Sequence, residues 1–525
     1  MAAETAPAAA APSRGGGLIR SVATVGSMTL ISRVLGFVRD IMIAALLGAS
    51  PLADAFFVAF KLPNFFRRLF AEGAFNAGFV PMFARTLEGE GRAVAKEFAG
   101  EAQAVLVAML VPLVLLAIAC MPWVIVIMAP GFEWQGLRYE ASVEFSRITF
   151  VYILFISLVA LYSGVLNSLG HFAAAAAAPI LLNLCLIGAL LLSALWLDAP
   201  AHALAWGVAA AGLLQFLWLR LAVRRAGLAP AFRRPRMTSR VRRLFALILP
   251  GAIGAGVAQI NLFADVIFAS LLPTGAVSYL YFADRVNQLP VGVIGVAVGT
   301  ALLPLMARQL RAGEREQALA SQNRAIELAL LLTVPAALGL AVLSLPVTSV
   351  LFERGAFGPA ETRATSAALA AYVLGLPAYV LVKVLTPGFF AREDTRTPVK
   401  IAIVCLLANV VLSLSLIWFL AHVGIALATT ISAWLNAGLL GRGLWREGLL
   451  RSDPRLRRRL PRILGAGLAM ATGLLLLQPW LAPLPPTLAL ILLIASGATI
   501  FLVVAQLSGG MVLGELRAIL RRHRA

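Results

Sequence analysis

Any chemistry in this sequence has to come from charged residues set where charge is costly. Arg33, Arg39, Asp40, Asp54, Lys61, Arg67, Arg68 and Glu72 all fall inside two long, otherwise apolar stretches. On an insertion scale each such residue costs roughly 2.5–3.5 kcal/mol at the centre of a spanning helix, more in total than the two helices could offset if all faced lipid. They must face water or one another. Arg33, Gly36 and Asp40 follow i, i+3, i+7 spacing, and Asp54, Lys61, Arg68, Glu72 and Asn76 line a second stripe. A single pair, Asp54 with Lys61 or Arg68 with Glu72, could be an internal ion pair or a snorkelling side chain. The whole set reads as the wall of a wet cavity. A second group joins Asp265, Asp284 and Arg285, with Gln259, Asn261 and Gln288 nearby. Counting Arg33, Arg39, Lys61, Arg67, Arg68 and Arg285 against Asp40, Asp54, Glu72 and Asp284 leaves a positive surplus that suits a dianion. The planar fork of arginine matches phosphate or diphosphate oxygens better than lysine's point charge.

The elements that must carry these residues are membrane spans. The chain has 525 residues, 61% of them hydrophobic and only 13% charged, against about 45–50% and about 25% in soluble domains. Soluble enzymes and DNA-binding proteins are thereby excluded. Apolar segments predict fourteen helices, at about 19–48, 54–87, 102–129, 142–168, 176–197, 201–223, 244–271, 276–309, 322–350, 364–390, 398–420, 424–446, 461–480 and 485–507. The net charge of +20 is explained by retention of Lys and Arg on the cytoplasmic side. Basic clusters occupy every second loop, at 85–96, 220–243, 308–324, 392–400, 442–462 and 517–524, while 49–53, 198–200, 272–275, 421–423 and 481–484 carry no Lys or Arg. Both termini are therefore expected in the cytoplasm.

FVAFKLP (57–63), followed by PMFAR (81–85), resembles YFADRVNQLP (281–290), followed by PLMAR (304–308), at an offset of about 224 residues, with Lys61 opposite Arg285. A direct repeat predicts two six-helix lobes related by an axis along the membrane normal. The expected organisation is a disordered tail (1–17), an N-terminal lobe (18–223), a basic linker (224–243), a C-terminal lobe (244–446), a basic loop (447–460), helices 13 and 14 (461–507) and a basic tail (508–525). Gly36, Pro63 and the glycines of PVGVIGVAVG (290–299) are expected to break spans beside the charges, as transporter helices break near their sites.

Other chemistries find no support. Cys120, Cys185 and Cys405 form no CxxC and read as packing residues, and His171, His202, His422 and His523 are dispersed at loops, helix ends and the tail. No GxxxxGK[ST] occurs, so ATP is not the direct fuel. No catalytic residues are expected, and the chain is not expected to be an enzyme.

SRVLGFVRD (32–40) and DAFFVAFKLPNFFRRLFAEGAF (54–75) resemble the MurJ (MviN) lipid II flippase family of the multidrug/oligosaccharidyl-lipid/polysaccharide (MOP) exporter superfamily. The resemblance continues through APGF (129–132), YFADR (281–285), GVAVGTALLP (295–304) and KVLTPGFFAREDTRTPVKIA (383–402). It implies an all-α, polytopic, MATE-like fold in the bacterial inner membrane. It also implies translocation of undecaprenyl-diphosphate-linked disaccharide pentapeptide to the periplasmic leaflet, for peptidoglycan synthesis, by alternating access. The family's cavity arginines match Arg33, Arg39, Arg67 and Arg285, and its cavity acid matches Asp54. Arg68 and Glu72 also match, and Lys61 joins them by its place on the stripe. The resemblance implies no resident cofactor. Some relatives hold a sodium ion between helices 7, 11 and 12. The matching ligands here would be Asp265, Asn409, Thr429 and the Ile425 backbone, with Ser413 where those relatives have a second Asp, a loss that weakens a hard-cation site. Expected partners are lipid II, membrane lipids and, around a monomer, cell-wall synthesis enzymes, with no nucleic acid. The rival readings are an exporter of drugs or of another polyprenyl-linked saccharide, and a non-transporting scaffold for cell-wall enzymes.

Overall fold

The computed structural model describes residues 14–71, 74–231 and 233–511, with side chains left undescribed at 14–23, 68–71, 74, 76–77, 249–262, 293, 296–298 and 300–301. Among the described residues the chain is all-helical apart from one isolated bridge between Arg354 and Phe357. In order the helices are α1 Arg14–Leu47, α2 Pro51–Ala71, α3 Ala74–Gly89, α4 Arg92–Ala119, α5 Met121–Met128, α6 Leu137–Phe150, α7 Tyr152–Ser168, α8 Phe172–Leu192, α9 Pro200–Arg225, α10 Ser239–Ser270, α11 Ala276–Pro290, α12 Val296–Arg311, α13 Arg315–Val342, α14 Ser344–Phe352, α15 Pro359–Val373, α16 Leu376–Phe390, α17 Arg396–Arg446, α18 Pro454–Leu481 and α19 Pro486–Leu507. Nine helical stretches among the described residues are long and apolar enough to cross a membrane; the number fourteen remains the sequence's expectation. Trp196 and Trp480, near ends of such stretches, and Trp418, beside the kink at Ala421 inside one, are at least 80% exposed, where an amphipathic ring sits best at a lipid–water boundary.

Several expected boundaries move. Helix α1 begins at Arg14, so residues 14–17, expected in the tail, are helical. Three glycines there cost about 1 kcal/mol each relative to alanine, and the long run that follows carries the helix through them. Helix α10 starts at Ser239 and α18 at Pro454, inside stretches expected as linker and loop. The α18 start is a capped one: Asp453 accepts a hydrogen bond from the Leu456 N–H at 2.7 Å, and Pro454 takes the first helical position, where its missing N–H costs nothing. At the start of α17 the Asp394 carboxylate accepts from the Thr397 and Arg396 N–H groups, bonds that hold its pKa below the ordinary value. Neither Gly36 nor Pro63 interrupts its helix; one missing backbone bond is tolerated in a spanning helix, whereas an open break in lipid is not. A π-turn does interrupt the glycine-rich segment, at Val291–Gly295. Within α17, Ala421 (φ 48°, ψ −131°) folds the helix into two legs, at the expected 421–423 turn.

By packing, the chain divides into two compact units. Unit 1 comprises Met1–Met42, Ala59–Val124 and Ser142–Gln259, and unit 2 comprises Ile43–Val58, Ile125–Ala141 and Ile260–Ala525. The core of unit 1 is an aromatic ladder, Phe75 on Phe79, and Phe79 on Phe83 and Phe98. Buried polar groups there pair across helices, Tyr152 with Gln215 at 3.1 Å and Tyr162 with Gln103 at 2.9 Å. The basic linker lies along α4, tied by Arg233 to Glu97, Thr238 to Glu101 (2.9 Å) and Arg240 to Glu90 (2.6 Å). Unit 2 is centred on Phe57, Tyr281, Phe282, Phe352 and Phe357. It also holds a buried acid, Glu327, ringed by Arg324, Arg455 and Arg459, which fastens α18 to α13.

Candidate substrate site

Each unit carries part of the expected set. In unit 1, α1 brings Arg39 and Asp40 to the α8 side chain Asn183. Arg39 is 6% exposed and Asp40 2%. The Arg39 Nε and Nη2 donate to Asp40 Oδ1 at 3.0 and 2.7 Å, and Nη1 donates to Asn183 Oδ1 at 2.9 Å. Arg33, one turn and a half earlier, is exposed. Lys61 and Arg67 on α2 are half-buried, and both interact with neighbouring groups. The Arg68 side chain and all of Glu72 lie outside the described residues, as do the side chains of Gln259 and Asn261.

In unit 2, Asp54 is fully buried and accepts three hydrogen bonds: from the Gly275 N–H at 2.7 Å, the Ser278 N–H at 3.0 Å and the Ser278 hydroxyl at 2.6 Å. These donors open α11, so the carboxylate satisfies orphan N–H groups and meets the positive end of the helix dipole. Three residues on, Phe57 stacks on Tyr281 with centroids 3.9 Å apart. Tyr281 in turn carries the Arg285 guanidinium over its ring at 4.7 Å. Asp284 accepts from the Gln288 amide. At the π-turn, Gly295 leaves room for the Lys383 chain; a Cβ there would come within 2.8 Å of the lysine Cδ.

The same unit packs backbone on backbone where 43–48 meets 353–358. The Ala356 N–H donates to the Ala45 carbonyl at 2.8 Å. Gly48 (φ +61°) and Gly355 (φ +59°) both adopt left-handed backbone, and a Cβ on either would overlap a carbonyl oxygen, of Ala356 and Ala45 respectively. Gly131 likewise abuts Ser270 and Leu271, whose Ser270 hydroxyl accepts the Gly131 N–H at 3.1 Å.

The four positions implied for sodium fall on α10 and on the two legs of α17, in unit 2. Asp265 is half-buried on α10. Asn409 is buried on the first leg of α17 and accepts from Ser413 at 3.3 Å. On the second leg, Thr429 donates to the Ile425 carbonyl at 3.1 Å. The donors are all oxygen with a single carboxylate, which fits a weakly held monovalent cation. Among the described residues no group of three or more His, Cys, Asp and Glu could hold a metal ion.

A family model described as "Lipid II flippase MurJ" matches residues 43–492. A Rhizobium meliloti (strain 1021) protein described as "Probable lipid II flippase MurJ" is 46% identical over 519 residues, 96% of each chain. The chain belongs to the lipid II flippase MurJ family. A Burkholderia cenocepacia protein described as "Lipid II flippase MurJ" is 37% identical over 462 residues, 86% of this chain and 89% of that one. Among solved structures, "Lipid II flippase MurJ, inward closed conformation" superposes with a TM-score of 0.78 at 25% identity, covering 92% of this chain and 98% of that one. An inward-facing MATE family transporter of the MOP superfamily superposes with a TM-score of 0.67 at 14% identity, over 81% of this chain and 98% of that one, which shows the shared fold. The chain is thus a multi-pass membrane protein of a transporter family, as its residues led one to expect.

The sequence singled out Arg39, Asp40, Asp54 and Arg285 but missed their partners. Asn183, Ser278, Tyr281 and Lys383 hold or neighbour them. Asn183 was visible as a lone amide in the apolar run PILLNLCLIGALLL, a polar group that needs a partner in a membrane. Ser278 and Tyr281 gave no signal of their own.

Proposed function

We propose that this protein is a lipid II flippase of the bacterial inner membrane, with both termini in the cytoplasm. It carries the diphosphate-linked headgroup from the cytoplasmic to the periplasmic leaflet while the polyprenyl tail stays in lipid, for peptidoglycan synthesis. It makes and breaks no covalent bond, acts as a monomer, and supplies lipid II to cell-wall synthesis enzymes. The observation that carries this reading is family membership along nearly the whole chain, with arginines retained inside apolar helices. Arg33, Arg39, Arg67, Arg285, Arg68 and Lys61 neutralise the diphosphate, with Asp54 and Glu72 balancing the set. Two six-helix lobes, 18–223 and 244–446, rock about the headgroup. The close backbone contacts of 43–48 with 353–358, and the capping of α11 by Asp54, support a closed periplasmic side in this state. Sodium at Asp265, Asn409, Thr429 and the Ile425 carbonyl would supply positive charge that biases unit 2 toward one conformation.

The test is leaflet-resolved transport of lipid II in proteoliposomes. Arg39→Ala and Arg285→Ala proteins that insert and fold normally are expected to lose flipping. Wild-type rates in both variants would remove these arginines from the mechanism, and transport of apolar cations instead of lipid II by the parent protein would overturn the substrate.

A further inference from the structure

Asn183 uses both halves of its amide. Its Oδ1 accepts from Arg39 Nη1 at 2.9 Å, and its Nδ2 donates to the Ser32 carbonyl at 2.8 Å and reaches the Ser32 hydroxyl at 3.3 Å. Only one orientation of the amide satisfies a guanidinium on one side and a carbonyl on the other, so the two partners fix it. The side chain is 5% exposed, and Gly36 brings the α1 backbone alongside, with its Cβ direction 3.5 Å from the amide. Asp40 holds the opposite edge of Arg39. The guanidinium therefore meets a charged acceptor on one edge and a neutral one on another.

That difference in charge has a consequence for an anionic guest. The Arg39–Asp40 pair is formally neutral, and an amide adds orientation without adding negative charge. A hydrogen bond to an ionised acceptor is roughly twice as strong as one between neutral groups, so a diphosphate oxygen can displace an amide oxygen from Arg39 far more easily than it could displace a second carboxylate. We infer that Asn183 is a positioning residue for Arg39: it presents the guanidinium in a fixed direction through a releasable, uncharged contact, and so sets how readily the protein takes up a diphosphate headgroup. This rests on the reading of Arg39 as a headgroup ligand.

The experiment measures lipid II affinity and leaflet-resolved flipping separately, with thermal unfolding as a control, for the full-length protein and for Asn183→Asp, Asn183→Leu, Arg39→Ala and Arg39→Ala/Asn183→Leu. Asn183→Asp keeps a hydrogen-bond acceptor for Arg39 but makes it charged and gives up the donor to the Ser32 carbonyl; affinity for lipid II is expected to fall at least tenfold, and further than in Asn183→Leu, which loses the same donor without gaining charge. Asn183→Leu is expected to lower affinity in the parent and to change it less than twofold when Arg39 is already alanine. Wild-type affinity in Asn183→Asp, or an equal loss from Asn183→Leu with and without Arg39, would overturn the inference. Collapse of the unfolding midpoint in both single variants would assign Asn183 to stability alone and also overturn it. If Arg39→Ala binds lipid II normally, the Arg39 reading falls and this inference with it; if Arg39→Ala is impaired but neither Asn183 variant is, only this inference falls.

Discussion

The ring of arginines around Glu327 makes a quantitative prediction. The Glu327 side chain is 8% exposed and accepts from Arg324 at 2.7 Å, from Arg455 twice at 3.2 Å, and from Arg459. Arg324 and Arg455 are 39% and 37% exposed, so water screens their share to about 0–1 kcal/mol each. Arg459 is only 11% exposed, and removing one partner of such a buried pair costs at most about 3–5 kcal/mol, the full figure applying to a survivor with no other contact, whereas Arg459 keeps further interactions. Glu327→Gln should therefore destabilise the protein by more than about 1 kcal/mol and at most about 3–5 kcal/mol, chiefly through Arg459. Because the cost belongs to the stranded charge, Glu327→Leu/Arg459→Met should recover most of it, an apolar pair being close to neutral against a buried ion pair. Reversible unfolding of purified protein in mild detergent, run as a double-mutant cycle, reads both quantities. A loss below 1 kcal/mol in Glu327→Gln, or simple additivity in the double variant, would refute the reasoning.

Two further outcomes follow from unit 2. Asp54→Ala strands the Gly275 and Ser278 donors in a buried site, at about 1–3 kcal/mol for each left unsatisfied; amide hydrogen exchange at 275–278 should quicken, and unchanged protection there would count against the capping role. Gly355→Ala forces a Cβ onto the Ala45 carbonyl and should free the Ala356 N–H from its bond to Ala45, again read by exchange. Gly313→Ala is the control, since Gly313 shares a positive φ (+77°) but has open space where a Cβ would stand; equal effects of the two substitutions would make backbone strain, not the close approach, the cause.

Much of the fold was legible because a membrane imposes simple rules. Apolar length marked the spans. The turn between 420 and 424 was visible because it interrupts an apolar run, although the backbone there turns so sharply that α17 stays continuous apart from Ala421. The glycine-rich stretch at 290–299 broke as expected, but Gly36 and Pro63 did not. Composition cannot separate these cases: Gly36 has the Asn183 amide beside it and Gly295 the Lys383 chain, yet only the second lies in a π-turn. The start of α18 was missed, expected at about 461, although Asp453 and Pro454 carry a cap-and-proline signal for it.

The repeat shows how the site could be half seen. An offset of about 224 residues was read as two related segments, with nothing to say that they touch. In unit 2 they do. Asp54 bonds to Ser278 and Phe57 stacks on Tyr281, and in each pair the partners are the repeat's equivalent positions. Periodicity along one helix finds the charged stripe but not the group across from it. That is why Asp54 could be picked from its stripe and Arg39 from its charge in an apolar span, while Ser278 and Asn183 could not: their partnership is a property of how distant turns of chain come together.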